Sequence, residues 1–249
     1  MKKWMTLMGV LMTLLLLCAY AAGEGIIPVT LGPEMDTPEG VTAVDGVVTF
    51  SKPGSYLVSG DLPQGSLVVD CAENGKVILY LNGVSVYNAQ GPALRVGECS
   101  PRAVISLVEG AENRLSNGTA LIFEDVDEPD GVIYSQSDLT IEGGGSLEVT
   151  AGAMNGIDSK DDLRIEGGSL RIEAPQHGIK GKDSVEISGG EIIIHAGKDG
   201  VKSTNKKDPK RGFLEISGGK LTITCGDDPL SFITACHITG GEIHLSMAE

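Results

Sequence analysis

Side chains able to do chemistry recur at fixed intervals in the second half of the chain. Repeating units open at Asp130, Asn155, His177, Asp199 and Asp228, spaced 25, 22, 22 and 29 residues apart. Three positions after most of these openings stand Asp158, Lys180 or Lys202, and further on Asp161, Asp183 or Asn205. If the units stack, equivalent positions become neighbours. Carboxylates stacked at strand spacing repel unless a cation lies between them. Calcium suits such a column, because it accepts about six to eight oxygens from carboxylates, carbonyls and water. Asn155, Asp158, Asp161 and Asp183 are the candidate ligands, with Asp130 and Asp199 beside them. The same residues also serve as ordinary turn formers, since Asp or Asn before Gly bonds its own backbone. The pattern alone leaves both uses open.

A second candidate is basic. The unit opening at Asp199 is longer than its neighbours, and its extra residues bring Lys206, Lys207, Lys210 and Arg211 close to Lys202. Lysine offers a point charge and arginine a two-pronged fork to carboxylate ligands. Charged loops are also commonly just solvated. Lys180 and Lys202 near stacked acids supply the raw material of a calcium-dependent lyase, which needs a cation and a base beside the acidic sugar. An ordinary lysine is a poor base at neutral pH. No Gly-x-Ser-x-Gly, HExxH, phosphate loop or zinc pattern occurs.

The elements that must hold these residues are short strands. NGIDSKDDLRIEGGSLRIEAPQ (155–176) and HGIKGKDSVEISGGEIIIHAGK (177–198) superpose without a gap. Each unit holds an alternating strand, a Gly-Gly pair and a second alternating strand. A strand repeat of about 22 residues with no helical stripe predicts an all-β fold, a single-chain parallel β-solenoid whose coils bury their apolar faces on one another. Alternation points Leu163, Ile165, Leu170 and Ile172 inward and Arg164, Glu166, Arg171 and Glu173 outward. The glycines mark corners needing φ values that other residues avoid. After the second strand, Glu148, Arg171, Ile193, Thr222 and His244 form one expected outward column, and Thr150, Glu173, His195, Thr224 and Ser246 another.

The N-terminal half uses the same idiom. SLVVD lies over ALRVG and KVILYL over AVISLV, a register that places Cys71 beside Cys99 and predicts a disulfide. Cys225 and Cys236 fall on inward positions, as small core residues.

Residues 1–21 read as a secretory signal peptide: Lys2 and Lys3, an apolar run from Trp4 to Leu17, and Ala19-Tyr20-Ala21 before the cut. Lipidation of Cys18 is the weaker alternative, because Leu17 precedes it. Residues 22–40 are expected as a linker and 41–249 as the β-helix domain. The formal net charge is −15, and losing two lysines with the leader makes the exported chain more acidic. That excludes nucleic acid as the main partner. No membrane segment is expected after cleavage, and a monomer is expected.

KVILYLNGVSV, GPALRV, ISLVEGAENRL, SQSDLTIEGGGSLEV, NGIDSKDDLRIEGG, HGIKGKDSVEISGGEIIIHAG and DGVKSTN, in that order, resemble the carbohydrate-binding β-helix proteins typified by a secreted clostridial cellulose- and acid-sugar-binding protein. The resemblance implies a right-handed parallel β-helix, similar in shape to pectate lyases, that binds calcium and plant cell-wall polysaccharide without cleaving it. After Tyr20 no tryptophan remains and no aromatic column recurs, so acidic soluble polymers are expected over crystalline cellulose. The alternatives are a calcium-dependent uronan lyase and a surface adhesin. A chain stopping at Glu249 without an anchor signal disfavours the adhesin.

Overall fold

A computed structural model describes residues 25–119 and 129–248, so the leader and the Cys18 question lie outside the described residues. The chain is all-β there. It opens with β1 (Ile26–Leu31), the hairpin β2 (Val41–Val44) and β3 (Val47–Phe50), β4 (Gly54–Leu62), β5 (Ser66–Cys71) and the long β6 (Val77–Asn88). Six coils of three strands follow. They are β7 (Leu94–Cys99), β8 (Ala103–Leu107) and β9 (Glu112–Asn117); β10 (Gly131–Ser135), β11 (Leu139–Gly143) and β12 (Ser146–Thr150); and β13 (Asn155–Ser159), β14 (Asp162–Ile165) and β15 (Ser169–Ala174). Then come β16 (Ile179–Gly181), β17 (Ser184–Ile187) and β18 (Glu191–Ala196); β19 (Val201–Ser203), β20 (Phe213–Ile216) and β21 (Lys220–Cys225); and β22 (Leu230–Ser231), β23 (Cys236–Ile238) and β24 (Glu242–Met247).

Equivalent strands of successive coils pair in parallel. One sheet runs β2-β3-β5-β7-β10-β13-β16-β19-β22, and the other two faces join through β6 into a single 15-stranded sheet. The inward rows are apolar throughout. Ile133, Ile157, Ile179 and Val201 line one face, and Val149, Ile172, Ile194 and Ile223 another, each at most 1% exposed. Fully burying such a side chain is worth about 1.5–3 kcal/mol. A single coil cannot do this alone, which is why the coils stack.

The recurrent glycines have two separate reasons. Gly168, Gly190, Gly219 and Gly241, the second of each pair, have φ between 80° and 91°, the left-handed region that favours glycine at the corner. Gly156, Gly178 and Gly200 lack such a φ. A Cβ on Gly178 would meet the Gly200 carbonyl at 2.8 Å, so this second column is required by the closeness of the next coil.

Three expectations are corrected. Residues 22–40 are not simply a linker, because β1 pairs in parallel with β4 and buries Val29 and Leu31, following the alternation in IIPVTL. Val77 pairs with Ala103 rather than Val104, one residue from the expected overlay. The slip matters because a one-residue shift exchanges faces, and the observed register keeps Val77, Leu79 and Leu81 inward with Ala103, Ile105 and Leu107. Cys71 does stand opposite Cys99, across a register irregularity, but both are free thiols. The Cys71 thiol turns to the Glu73 carbonyl at 3.5 Å, and burial pushes the Cys99 thiol pKa up.

Candidate functional site

The outward positions of the first sheet form the column Tyr134, Asp158, Lys180, Lys202 and Ser231. Its members each follow an apolar residue, Ile133, Ile157, Ile179, Val201 or Leu230, as strand alternation demands. Asp130 stands one place off the expected stack, because Gly131 and not Asp130 pairs with Asn155. The cause is one extra residue: Val132 and Ile133 separate Gly131 from Tyr134, whereas only Ile157 separates Gly156 from Asp158.

Asp130 nonetheless reaches the column. Lys180 Nζ lies 2.9 Å from Asp158 Oδ2 and 3.2 Å from Asp130 Oδ2, and Lys160 Nζ lies 3.3 Å from a carboxylate oxygen of each. Asn155 Nδ2 donates to Asp158 Oδ2 at 3.3 Å. The Asp158 side chain has no exposure, and burial followed by the hydrogen bond with Asp130 pushes its carboxyl up to about 6. Burial acts the same way on Asp130, but the Asp158 hydrogen bond and the two lysines outweigh it and hold that carboxyl well below the usual range. For Lys160 burial opposes the charge, yet Asp158 and Asp130 prevail and raise its pKa. Two lysine amines therefore stand where the sequence suggested metal. Asn155, Asp158 and Asp130 do not fit calcium, which asks for oxygen donors around it.

One coil further on, the column opens into a cleft of about 590 Å³ lined by His177, Lys198, Asp199, Lys202, Asp227, Asp228, Ser231 and Met247 among others. Asp199 is its buried anchor. It takes the Lys202 amine at 2.6 Å on Oδ2 and the Asp228 backbone N–H at 3.1 Å on Oδ1. The Asp199 backbone N–H donates to His177 Nδ1 at 3.3 Å. Burial, then Lys202, lowers the His177 pKa and favours the neutral ring, whose Nδ1 faces both the Asp199 backbone N–H and, at 3.3 Å, Asp199 Oδ2; accepting the N–H places the ring proton on Nε2.

Asp183 is satisfied by Asn205 Nδ2 and by Arg211 Nη1 of the inserted segment. Arg211 also reaches Asp161 at 3.4 Å and Asp208 at 3.6 Å. Inside the insertion, Asn205 Oδ1 accepts the backbone N–H groups of Lys207 and Asp208, which folds the segment back. Lys206, Lys207 and Lys210 remain exposed. The five expected basic residues are thus split. Lys202 faces the cleft, Arg211 is drawn into a network of acids, and the other three project outward.

Of the expected ligands only Asp161 joins a further acidic cluster. Asp138, Asp161 and Asp162 place one ligand atom each within 4.8 Å of one another. Burial followed by carboxylate repulsion raises the pKa of Asp138 and of Asp161. Arg164 stands beside them, 3.9 Å from Asp138 and 3.5 Å from Asp162, and also grips Glu186. Three carboxylates suit a hard, oxygen-seeking cation. Asp138 and Asp162 escaped sequence reasoning, although each precedes the first inward leucine of its strand, in SDL and DDL.

The flat columns assemble as expected. Glu148, Arg171, Ile193, Thr222 and His244 are successive register partners, as are Thr150, Glu173, His195, Thr224 and Ser246. The face is polar, with salt bridges from Arg114 to Glu148 and from Arg171 to Glu173.

The fold and site define a stacked parallel β-solenoid with a cleft of mixed amines, carboxylates and imidazole on one face. The particular family follows from comparison. Residues 44–249 match the family described as carbohydrate-binding domain-containing protein, and the chain belongs to it. A relative from Acetivibrio thermocellus, also described as a carbohydrate-binding domain-containing protein, is 38% identical over 214 residues, covering 85% of this chain and 74% of its own. The solved structure of a polysaccharide lyase-like protein from C. thermocellum, a gadolinium derivative, superposes with a TM-score of 0.77 at 31% identity, covering 90% of this chain and 98% of that one.

Proposed function

We propose that this protein is an exported, monomeric, non-catalytic binder of acidic polysaccharide, built on a right-handed parallel β-helix of about 22 residues per coil and assisted by calcium. The observation that carries the reading is the cleft at His177, Lys198, Asp199 and Lys202. Its volume lies in the ~300–1,000 Å³ range of small-ligand sites. Lys198, Lys202 and the His177 Nε2–H offer donors to a sugar carboxylate, while Asp227 and Asp228 accept from hydroxyls. Asp138, Asp161 and Asp162 would hold calcium, whose charge would offset the acidity of protein and polymer together. The structural neighbour was solved with gadolinium, another hard cation that favours oxygen ligands, and this supports the choice of metal.

Binding rather than lyase chemistry is favoured because a lyase base must be free to take a proton. Lys160, Lys180 and Lys202 are each held against carboxylates.

Affinity electrophoresis through gels containing polygalacturonate, with cellulose as the neutral comparison, tests the reading. Retardation by polygalacturonate should exceed that by cellulose and fall in Lys198→Ala and in Lys198→Ala with Lys202→Ala. Equal retardation of all three proteins, or preference for cellulose, would refute it. Unsaturated product appearing in ultraviolet absorbance with polygalacturonate and calcium would restore the lyase.

A further inference from the structure

The half-buried meeting of Asp130 and Lys180 with the buried Asp158 has a feature that an ion pair alone leaves unexplained. Asp158 and Lys180 are register partners on adjacent parallel strands, with Nζ 2.9 Å from Oδ2. The Asp158 side chain is fully buried, and its other oxygen, Oδ1, has no hydrogen-bond partner. A buried ion pair repays its desolvation only when the remaining lone pairs are filled. An orphaned buried acceptor costs about 1–3 kcal/mol, more when charged. A second carboxyl touches the same amine, at 3.2 Å from Asp130 Oδ2. Tyr134, the register partner of Asp158 on the other side, is itself 1% exposed. The electrophile is thus buried, and the Lys180 nucleophile and the Asp130 carboxyl, 18% and 23% exposed, meet it at the edge of the site.

We propose that Lys180 and Asp158 join as an intramolecular amide, a covalent cross-link between adjacent coils, with Asp130 carrying the proton. A proton passes from the Lys180 ammonium to the Asp158 carboxylate at 2.9 Å, the freed nitrogen attacks Cγ of Asp158, and Asp130, at 3.2 Å from the same nitrogen, carries the second proton to the departing oxygen. The Nζ–Cγ bond forms, one Cγ–O bond breaks, and both protons lost by nitrogen leave on that oxygen as one water. An ammonium and a carboxylate become an amide and water, so atoms and charge balance without oxidant or co-reactant. Close placement of the reacting groups supplies what the uncatalysed reaction lacks. The product removes one positive and one negative charge from the buried site and leaves Asp130 paired with Lys160 at 3.3 Å.

Intact mass spectrometry of the denatured full chain decides it. The expected mass is one water lower than that calculated for the purified chain from its determined N-terminus, and fragmentation of the tryptic branched peptide should place the bond from Lys180 on Asp158 and not on Asp130, which lies in the same tryptic segment. Lys180→Arg, which keeps the charge, and Asp130→Asn should both return to full mass while circular dichroism still shows the β fold. Full mass in the unsubstituted protein would overturn the proposal whatever the variants do. So would a missing water mapped to an unbranched peptide, as a cyclic imide at Asp130-Gly131 or Asp199-Gly200 would give. A branch point at Lys160 would overturn the assignment of Lys180.

Discussion

His177 and Asp199 are joined across adjacent coils by an unusual contact, in which the Asp199 backbone N–H donates to His177 Nδ1 at 3.3 Å. The bond requires an unprotonated Nδ1, and the Asp199 carboxylate is already engaged by Lys202. Burial and the Lys202 charge hold the folded pKa of His177 below 6.5. An unfolded chain takes up the proton at its ordinary value, so the stability this residue contributes is fully present above pH about 6.5 and is lost as pH falls through the lowered folded value. The urea midpoint should therefore drop more between pH about 7.5 and about 5 in the unsubstituted protein than in His177→Gln. Equal drops would show that the ring is not held neutral.

Arg211 should matter to folding more than its place in an exposed insertion suggests. It pairs with Asp183, whose side chain is only 5% exposed. Removing one partner leaves a buried charge uncompensated. Arg211→Ala should cost about 1–3 kcal/mol in denaturant unfolding, and Asp183→Asn in the same chain should recover part of that loss. A cost within about 0.5 kcal/mol, usual for surface changes, would mean that the pair is incidental.

How far the sequence carried the structure differs by element. The coil, the inward rows and the corner glycines were legible because a repeat states its own period, and Leu163, Ile165, Leu170 and Ile172 are all buried. Register within a coil was less legible where no repeat disciplined it, as the Val77–Ala103 pairing shows. The candidate site was harder for a physical reason. Column arguments locate Cα positions, whereas a site is made by side-chain tips. Lys160, which the repeat aligns with Lys182, swings onto Asp130 and Asp158, and Arg211 returns from an insertion to Asp161 and Asp183. Sequence named Lys180, Lys202 and Arg211 but not the acids each would pair with, and it missed Lys160, Asp138 and Asp162.

Calcium, if bound at Asp138, Asp161 and Asp162, relieves the repulsion that raises the pKa of Asp138 and Asp161. The melting temperature should rise with calcium and return on chelation, and the rise should shrink in Asp162→Asn. Saturation at one hundred times the dissociation constant would stabilise by about 2.7 kcal/mol. Because protons compete for the same oxygens, the rise should be smaller at acid pH. Asp158→Asn should leave it intact, since that carboxylate faces lysines. A calcium shift abolished by Asp158→Asn but not by Asp162→Asn would move the metal to the other cluster.

Gly178 tests whether the coils are as close as the glycine column implies. Its Cβ would meet the Gly200 carbonyl at 2.8 Å and the Ile194 side chain, and carbonyls held in a parallel ladder cannot turn aside without breaking their own hydrogen bonds. Gly178→Ala should therefore lose about 1–3 kcal/mol, the usual cost of overpacking, despite alanine's lower conformational entropy in the unfolded chain. Gly25 is the control, because an added Cβ there meets nothing within 4 Å and no left-handed φ is required. Gly25→Ala should stay within about 0.5 kcal/mol. Equal effects at the two positions would mean that adjacent coils can separate by the width of a methyl group, and the cleft beside His177 and Asp199 would then be adaptable rather than preformed.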